Sequence, residues 1–429
     1  MTDIAAADAT EAEPAEAYAP PAERIATLDI VRGVAVMGIL AMNIVAFAMP
    51  FQAYMNPTAF GLESGADLGS WLVSFIFIDG KMRGLFSFLF GASTLLVIER
   101  AKASGLSPAR VHYARMFWLL VFGLLHFYFI WFGDILAAYA LVGLVLFLFR
   151  NLSVRGLVTW GIVFVVIQCL LFGALGAGAL YLSHAAAQPG AAPDIVEGWR
   201  SMQEGFTTLT GPDLAAKLAH FQGPYSGLVH QRLVEDWRAP FTGVLFFGWE
   251  TLGYMLLGMA ALKSGFFRGE WPLARYRKVA LIGFGIGVPA YAVLAWLLVG
   301  SNFSVEMIFA IVMGATTPFR PFMILAIAAL IVILTRKGGA LVDRIAAAGR
   351  AAFTNYLGTS ILMTTLFYGY GFGLFGTMSR VQLWLPVLAM WALMLLWSKP
   401  WLDRFRYGPF EWLWRSLARH RIEPMRKGS

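Results

Sequence analysis

Charged side chains inside apolar stretches are the residues of this sequence most able to do chemistry. Asp29 and Arg32 lie three positions apart at the start of the first apolar stretch, so a helix places them on one face. Asn43 follows Arg32 by eleven residues, close to three helical turns, and therefore lies further along that face. Because charge inside a membrane is costly, it usually serves a function. The alternative is an ion pair that only stabilises the start of the helix.

A second apolar stretch carries three charges near its middle. Asp79 and Arg83 are four positions apart and can pair on one helix face, whereas Lys81 points about 160° away and needs another partner. Two basic residues at mid-depth favour an anionic ligand, such as phosphate groups. The alternative is a short turn at Gly80 and Gly84 that separates two spans.

His126 lies among large apolar residues, where an imidazole is suited to proton transfer near neutral pH. The alternative is a packing histidine bonded to a carbonyl. Asp134 is eight residues away, about 12 Å along a helix, so a direct bond requires the chain to fold back at Gly133. Otherwise Asp134 is the N-cap of the next helix, and Asp29 or Asp79 is available to His126.

Other polar residues lie in later apolar stretches. Arg320 stands between Pro318 and Pro321, where a helix must be distorted, and it can bind an anion or pair with Glu250. Asn355 lies near the start of the ninth stretch, where helix packing is as good an interpretation as function.

The sequence lacks the motifs of several common kinds of catalytic site. The sequence has no phosphate-binding Gly-x-x-x-x-Gly-Lys-Ser/Thr loop, no His-Glu-x-x-His and no Gly-x-Ser-x-Gly. An ATP-driven pump, a zinc protease and a common serine hydrolase are therefore disfavoured. The single cysteine, Cys169, rules out a disulfide framework within the chain and a thiolate metal site. No metal is expected.

The elements that position these residues are predicted to be membrane helices. Of 429 residues, 59% are hydrophobic and only 14% are charged, against about 25% charged in soluble domains. The mean hydropathy is +0.67. A span needs about 20 apolar residues, and this predicts an all-α fold of about ten spans near 28–49, 69–98, 116–132, 135–149, 156–182, 240–262, 279–300, 305–335, 351–371 and 382–398. The second and eighth spans are long and charged, so each could be a tilted, a broken or a re-entrant helix.

The basic residues predict the orientation of these spans. Arginine and lysine accumulate in one set of loops and in the C-terminal tail, so both termini should be cytoplasmic. The net charge of +8 therefore reflects the positive-inside rule and contact with anionic lipid rather than nucleic acid.

Five regions follow from this topology. We predict a disordered tail (1–22), an N-terminal five-helix half (23–182), an extracytoplasmic amphipathic segment (183–239), a C-terminal five-helix half (240–398) and a basic aromatic interfacial tail (399–429).

The sequence resembles the YeiB-like family of bacterial membrane proteins, domain of unknown function group 418. The resemblance spans nearly the whole chain in the family order and is carried by residues 28–43 (LDIVRGVAVMGILAMN), 81–91 (KMRGLFSFLFG), 123–136 (GLLHFYFIWFGDIL), 349–357 (GRAAFTNYL) and 408–415 (GPFEWLWR). At 351–356 the chain has Ala-Ala-Phe-Thr-Asn-Tyr where members often have Met-Ala-Leu-Thr-Asn-Tyr, a conservative departure.

The resemblance implies an activity, because this family is grouped with transmembrane acyltransferases such as bacterial glycan O-acetylases. The similarity to these relatives is mainly the Leu-Asp-x-x-Arg-Gly start of the first span. It implies transfer of an acyl group from cytoplasmic acyl-CoA to an extracytoplasmic hydroxyl or amine, on a glycan or small molecule, in the bacterial inner membrane.

The residues fit this chemistry. The candidate catalytic residues are His126, Asp134 and Asp29. The candidate donor-binding cations are Arg32, Lys81, Arg83 and Arg320, with Asn43, Glu250 and Asn355 as further pocket residues. The alternative function is a proton-coupled transporter of a small organic anion, with His126 as proton relay and the cations as counter-charges. A homodimer is left open.

Overall fold

The computed structural model describes residues 25–427, and the predicted tail 1–22 lies outside them. The described chain is helical and forms no strand, apart from one isolated antiparallel bridge between Phe405 and Arg426. The predicted all-α class is therefore confirmed.

The first part of the described chain contains seven α-helices, of which the second has only 4 residues and the third only 9. They are α1 (Ala26–Ala48), α2 (Gln52–Met55), α3 (Gly65–Val73), α4 (Lys81–Ala103), α5 (Pro108–Phe129), α6 (Leu136–Leu146) and α7 (Val154–Ala186).

Three amphipathic helices with few buried residues follow in the segment 183–239. They are α8 (Pro193–Glu204), α9 (Gly211–Phe221) and α10 (Tyr225–His230).

The last part contains α11 (Ala239–Lys263), α12 (Leu273–Gly300), α13 (Val305–Ile308), α14 (Arg320–Thr335), α15 (Ala340–Arg350), α16 (Ala352–Phe367), α17 (Trp384–Arg404) and α18 (Pro409–Ala418). α17 continues through Pro400 to Arg404, so the C-terminal tail begins later than residue 399.

Seven helical segments of the described chain are long and apolar enough to cross a membrane. They are Ala26–Ala48, Gly65–Ala103, Val154–Ala186, Ala239–Lys263, Leu273–Gly300, Val305–Thr335 and Trp384–Arg404. The other three predicted spans correspond to α5, α6 and α16, of which α6 and α16 have 11 and 16 residues and fall short of a typical span. The protein is therefore a multi-pass helical membrane protein.

The two charged spans are interrupted, one of the three forms that the sequence left open. In the second, α3 ends at Val73 and a π-helical turn (Ser74–Ile78) follows, and Gly80, with a φ of 69°, breaks the helical path before α4 begins. In the eighth, a π-helical turn (Phe309–Ala315) and a 3-10 turn (Thr317–Phe319) precede α14. Irregular backbone of this kind is tolerated in membranes where it is buried in protein.

Cations bond the carbonyls that these interruptions release. The buried Lys81 ammonium donates to the carbonyl of Phe75 and lies 3.4 Å from the ring centroid of Tyr291. Arg320 donates to the carbonyl of Val312 at 3.2 Å and to the hydroxyl of Thr316 at 2.9 Å. Because an unpaired backbone group is costly in lipid, both cations have a structural role.

Close helix contacts fix α1 in the middle of the bundle. α1 packs against α4, α15 and α16. At Gly349 of α15 an added Cβ would collide with the carbonyl of Asp29, and at Gly33 of α1 with the carbonyl of Ile345. Only glycine permits this approach, which sets Asp29 and Arg32 against the start of α16.

Candidate functional site

His126 lies in the last turn of α5 and is hydrogen-bonded to Asp134. The helix ends at Phe129, and the amides of Ile130 and Trp131 both donate to the carbonyl of His126, at 2.9 and 2.8 Å. The chain then folds back, so His126 Nδ1 lies 2.8 Å from Asp134 Oδ1. The eight-residue spacing does not keep the two side chains apart, because residues 130–134 are not helical. Asp134, rather than Asp29 or Asp79, is the carboxylate partner of His126.

Asp134 also serves the helix that follows. Its Oδ2 atom accepts from the backbone amide of Ala137 at 2.7 Å, in the first turn of α6. The two predicted alternatives, partner of His126 and cap of the next helix, are therefore both realised by one carboxylate. These bonds fix its orientation toward the imidazole.

The second imidazole nitrogen is free to act. His126 is buried, and its Nε2 atom has no hydrogen-bond partner among the residues that the structure describes. A carboxylate at Nδ1 favours the tautomer with hydrogen on Nδ1 and a lone pair on Nε2. This arrangement can accept a proton from a hydroxyl or amine.

A cavity of about 290 Å³ opens at the end of the molecule where α1 begins and α18 packs. We call it the basic cavity. Two carboxylates, Asp29 and Glu411, also line it. Its basic side chains come from five different helices and one loop, and they are Arg32, Arg100, Arg115, Arg350, Arg406 and Arg415. Six guanidinium groups around one opening make a site for a polyanion.

The arginines are held in place by neighbours. Arg32 donates to Asp29 at 3.0 Å and to the Ser93 hydroxyl at 2.7 Å. The guanidinium of Arg115 lies 4.1 Å from the ring centroid of Trp414, and the Trp414 indole donates to the carbonyl of Arg115 at 3.0 Å. Arg32 is therefore the one predicted donor-binding residue that lines the basic cavity, together with its partner Asp29.

The C-terminal helix α18 forms one wall of the cavity. Glu411 accepts from the amides of Phe353 and Thr354 at 2.7 and 3.1 Å, and from the Thr354 hydroxyl at 2.5 Å. Burial raises the pKa of Glu411, and these hydrogen bonds act in the opposite direction. Burial likewise lowers the pKa of Arg415 in the next turn. Glu411 thus ties α18 to the first turn of α16.

Tyr356 connects the basic cavity with His126. Its side chain lines the cavity, and its ring centroid lies 5.3 Å from that of His126. The hydroxyl accepts from the amide of Ile135 at 3.2 Å. Tyr356 also lines a second, much smaller cavity of about 10 Å³, together with Asn43 and Trp131. The imidazole therefore contacts a residue that lines the basic cavity but does not line the cavity itself.

The other predicted cations lie elsewhere. Arg83 does not pair with Asp79 but forms an ion pair with the buried Glu250. Asp79 accepts a hydrogen bond from the Tyr54 hydroxyl at 2.9 Å. Arg320 donates to Glu250 at 2.9 Å, the pairing that the sequence left open. Arg83 and Arg320 thus share one buried carboxylate, Lys81 and Arg320 bond the two helix interruptions, and none of the three lines the basic cavity.

The two predicted asparagines differ in their surroundings. Asn43 lines the small cavity beside Tyr356. Asn355 donates to the carbonyl of Ala348 at 3.0 Å and to the Ser398 hydroxyl at 3.2 Å, and it accepts from the Trp397 indole at 2.8 Å. Its amide is therefore used in packing α16 against α15 and α17.

Several cavity residues were missed as site residues. Arg100, Arg115 and Arg415 entered the sequence argument only as markers of orientation, because the positive-inside rule already accounts for basic residues at such positions. Tyr356 follows Asn355 in the stretch that resembles the family, and that was its only signal. Tertiary packing brings them together.

Fold and site together define a multi-pass membrane protein with a basic cavity at one end and a buried His–Asp pair one side chain away from it. The chain is 32% identical over 415 residues to the uncharacterized protein YeiB of Escherichia coli strain K12, which covers 92% of this chain and 96% of that protein. It is 30% identical over 413 residues to the uncharacterized protein YxaH of Bacillus subtilis strain 168, covering 94% and 96%. The family described as a protein of unknown function (DUF418) matches residues 261–421. The chain belongs to the YeiB-like DUF418 family, as its sequence motifs predicted.

Proposed function

We propose that this protein is a transmembrane acyltransferase that moves an acyl group from cytoplasmic acyl-CoA to a hydroxyl or amine of an extracytoplasmic acceptor, such as a glycan. One observation carries the proposal: Tyr356, which lines the arginine-rich cavity, contacts a buried imidazole whose Nε2 atom has no partner among the described residues. A polyanion site with a base one side chain away from it suits acyl transfer from a phosphorylated donor.

The donor fits the basic cavity by charge and polarity. The phosphate groups of coenzyme A would be bound by arginines at the opening, where guanidinium groups can form paired charge-assisted hydrogen bonds. The inner wall is apolar, with Met116, Leu119 and Leu136 leading to Tyr356. This part suits the acyl chain and its thioester.

His126 supplies the base for the transfer. Its Nε2 lone pair takes the proton from the acceptor hydroxyl as that oxygen attacks the thioester carbonyl. The new carbon–oxygen bond forms while the carbon–sulfur bond breaks, and the proton passes to the departing thiolate. Acyl-CoA and alcohol are thus converted into ester and free coenzyme A, with Asp134 stabilising the imidazolium that forms.

The orientation of the chain supports this direction of transfer. The basic cavity lies on the side where the loops are rich in arginine, which the positive-inside rule assigns to the cytoplasm. The segment 183–239 then lies on the extracytoplasmic face, and the relatives from two bacteria support a bacterial inner membrane. On this topology both termini are cytoplasmic, and α5, α6 and α16 complete about ten crossings.

The test is binding of acetyl-CoA to the full-length protein in detergent, measured by isothermal titration calorimetry. Arg100→Gln and Arg115→Gln should each weaken binding by about tenfold or more, since a hydrogen bond to a charged group contributes roughly 1.5–3 kcal/mol. Arg277→Gln is the matched control, because Arg277 is exposed on α12 and does not line the cavity.

A second measurement separates binding from chemistry. His126→Ala should retain acetyl-CoA binding and lose transfer of a radiolabelled acetyl group to the acceptor in native membranes. If acetyl-CoA binds neither the wild type nor the variants, the acyltransferase proposal is wrong.

The alternative, transport of a small organic anion, is favoured by the interrupted helices near Gly80 and Pro318. Lys81 and Arg320 at these interruptions already bond Phe75, Val312 and Glu250, which weighs against them as substrate counter-charges. Uptake of a radiolabelled carboxylate by proteoliposomes, without acetyl-CoA binding, would establish the transporter instead.

A further inference from the structure

Buried polar atoms without partners lie on a series of neighbouring side chains that begins at His126. Among the described residues, eight buried side-chain nitrogen or oxygen atoms have no hydrogen-bond partner. Four of them follow one another in space: His126 Nε2, Trp131 Nε1, the Tyr368 hydroxyl and Arg232 Nη2. Buried polar groups are normally satisfied, so such a line of unpaired atoms indicates a place for a ligand.

The contacts between these side chains define the line. The rings of His126 and Trp131 have centroids 6.4 Å apart, edge to face, and Trp131 stacks on Phe47 at 3.8 Å. The indole nitrogen of Trp131 lies beside the Tyr368 hydroxyl. Tyr368 in turn lies close enough to the Arg232 guanidinium to favour its charged form.

Arg232 is a buried cation without a carboxylate partner in the part of the chain that the structure describes. It is 4% exposed, and its Nε atom donates to the Leu228 carbonyl at 3.0 Å. Burial lowers its pKa, while Tyr368, Tyr225 and Tyr370 act in the opposite direction. A buried charge without a counter-ion is costly, so an anionic ligand at this position would be favoured.

The backbone brings Arg232 to this position by a local distortion. It lies in a π-helical turn, Gln231–Glu235, that continues α10. Such turns are frequent at functional sites. Tyr225 and Tyr370, 41% and 40% exposed, pack edge to face beside Tyr368, so this aromatic cluster extends to the protein surface.

We infer that Arg232, Tyr368 and Trp131 form an anion-binding subsite for a carboxylate or phosphate carried by the acyl acceptor. The guanidinium supplies the counter-charge, and the hydroxyl and the indole N–H donate hydrogen bonds to the same oxygen group. The inference rests on the proposed function, because the subsite would hold the acceptor with its hydroxyl or amine toward His126. It narrows the acceptor to an anionic molecule.

The subsite can be tested without knowing the acceptor. The full chain is labelled with fluorotryptophan and placed in phosphatidylcholine nanodiscs, and the Trp131 signal in the fluorine NMR spectrum is assigned by its loss in Trp131→Phe. Glucuronate and glycerol phosphate should shift this signal in a saturable way, whereas glucose should not. Phosphatidylglycerol in the nanodisc should produce the shift by itself if the anion is a lipid headgroup, and should leave it unchanged if the anion is soluble.

Variants decide whether Arg232 is responsible. Arg232→Gln should weaken the titration by about tenfold or more, and Tyr368→Phe by less, because a charged partner contributes more than a neutral one. Arg238→Gln is the matched control, since its guanidinium lies over the exposed Trp237 ring. If no anion shifts the signal, if glucose shifts it equally, or if Arg232→Gln titrates like the wild type, the subsite is refuted.

Failure of the subsite and failure of the acyltransferase proposal give different results. Arg232→Gln should keep its affinity for acetyl-CoA, and His126→Ala should keep its affinity for the anion. Anion binding without acetyl-CoA binding would retain the subsite and remove its assignment to an acyl acceptor. Acetyl-CoA binding without anion binding would refute the subsite alone.

Discussion

At the scale of single residues, the two nitrogens of His126 have unequal environments. Nδ1 is 2.8 Å from a carboxylate that is itself held by the amide of Ala137. Nε2 is buried and unpartnered in the described structure. An imidazole placed in this way has a defined tautomer and a free lone pair, which are the properties of a positioned general base.

Asp134→Asn should therefore reduce acyl transfer more than donor binding. The amide keeps the shape but loses the charge, and it can donate to Nδ1 and so move the imidazole hydrogen to Nε2. We expect transfer of a radiolabelled acetyl group from acetyl-CoA to fall by about a hundredfold or more, with the acetyl-CoA dissociation constant unchanged. Asp213→Asn, an exposed carboxylate in the first turn of α9, should have no effect. Equal transfer rates in both variants would contradict the role of Asp134.

The pairing of His126 with Asp134 shows where sequence reasoning stops. The spacing of eight residues excludes a bond only if the helix continues. The helix instead ends at Phe129, where two amides converge on the carbonyl of His126. The sequence identified His126 and Asp134 and showed that a bond between them requires the chain to fold back at Gly133. It did not show where the helix would end.

At the scale of elements, the attachment of α18 controls the shape of the basic cavity. Trp414 and Arg415 reach the cavity because α18 packs against α5 and α16. The three hydrogen bonds that Glu411 accepts at the start of α16 are the polar part of this attachment.

Glu411→Ala should loosen α18 and weaken donor binding. Loss of the carboxylate leaves two amides and one hydroxyl unpaired at a half-buried position, so we expect acetyl-CoA affinity to fall by about tenfold. Limited trypsin digestion should then cleave after Arg415 or Arg419 earlier than in the wild type. Asp403→Asn is the control, because Asp403 forms an exposed pair with Lys399 on α17. Unchanged affinity together with unchanged digestion would show that α18 is held by apolar contacts alone.

Glycines at helix contacts make a second prediction at this scale. Gly349→Ala places a methyl group against the carbonyl of Asp29, so α1 and α15 must separate. We expect a loss of about 1–3 kcal/mol and a lower unfolding temperature in detergent, measured by the intrinsic fluorescence of the tryptophans.

The matched control is Gly358→Ala on α16, where an added Cβ meets nothing within 4 Å. Alanine there should be neutral or stabilising by up to about 1 kcal/mol, because it favours the helix. Equal unfolding temperatures for the two variants would mean that α1 and α15 do not depend on the close contact.

At the scale of the whole molecule, the sequence predicted the class of fold better than the grouping of its charges. The lengths of the apolar stretches predicted the helical membrane class and the long charged spans near Asp79 and Arg320. Both predictions depend only on composition along the chain. The sequence offered Glu250 as one of two partners for Arg320, but it did not give the partners of Lys81 and Arg83, because these depend on tertiary contact with Glu250 and on a carbonyl released by a helix interruption. The arginines of the basic cavity come from separated loops and helices, and no local pattern brings them together.

Membrane orientation is the whole-molecule property on which the proposed direction of transfer depends. Cys169 is the only cysteine, so Cys169→Ser gives a background for single labels. Ser201→Cys on α8 and Ser104→Cys after α4 are both exposed positions, on opposite sides of the predicted topology. A membrane-impermeant maleimide should label Ser201→Cys in intact cells and label Ser104→Cys only after lysis. The reverse pattern would place the basic cavity outside the cell, where acyl-CoA is not supplied, and would contradict the proposed direction.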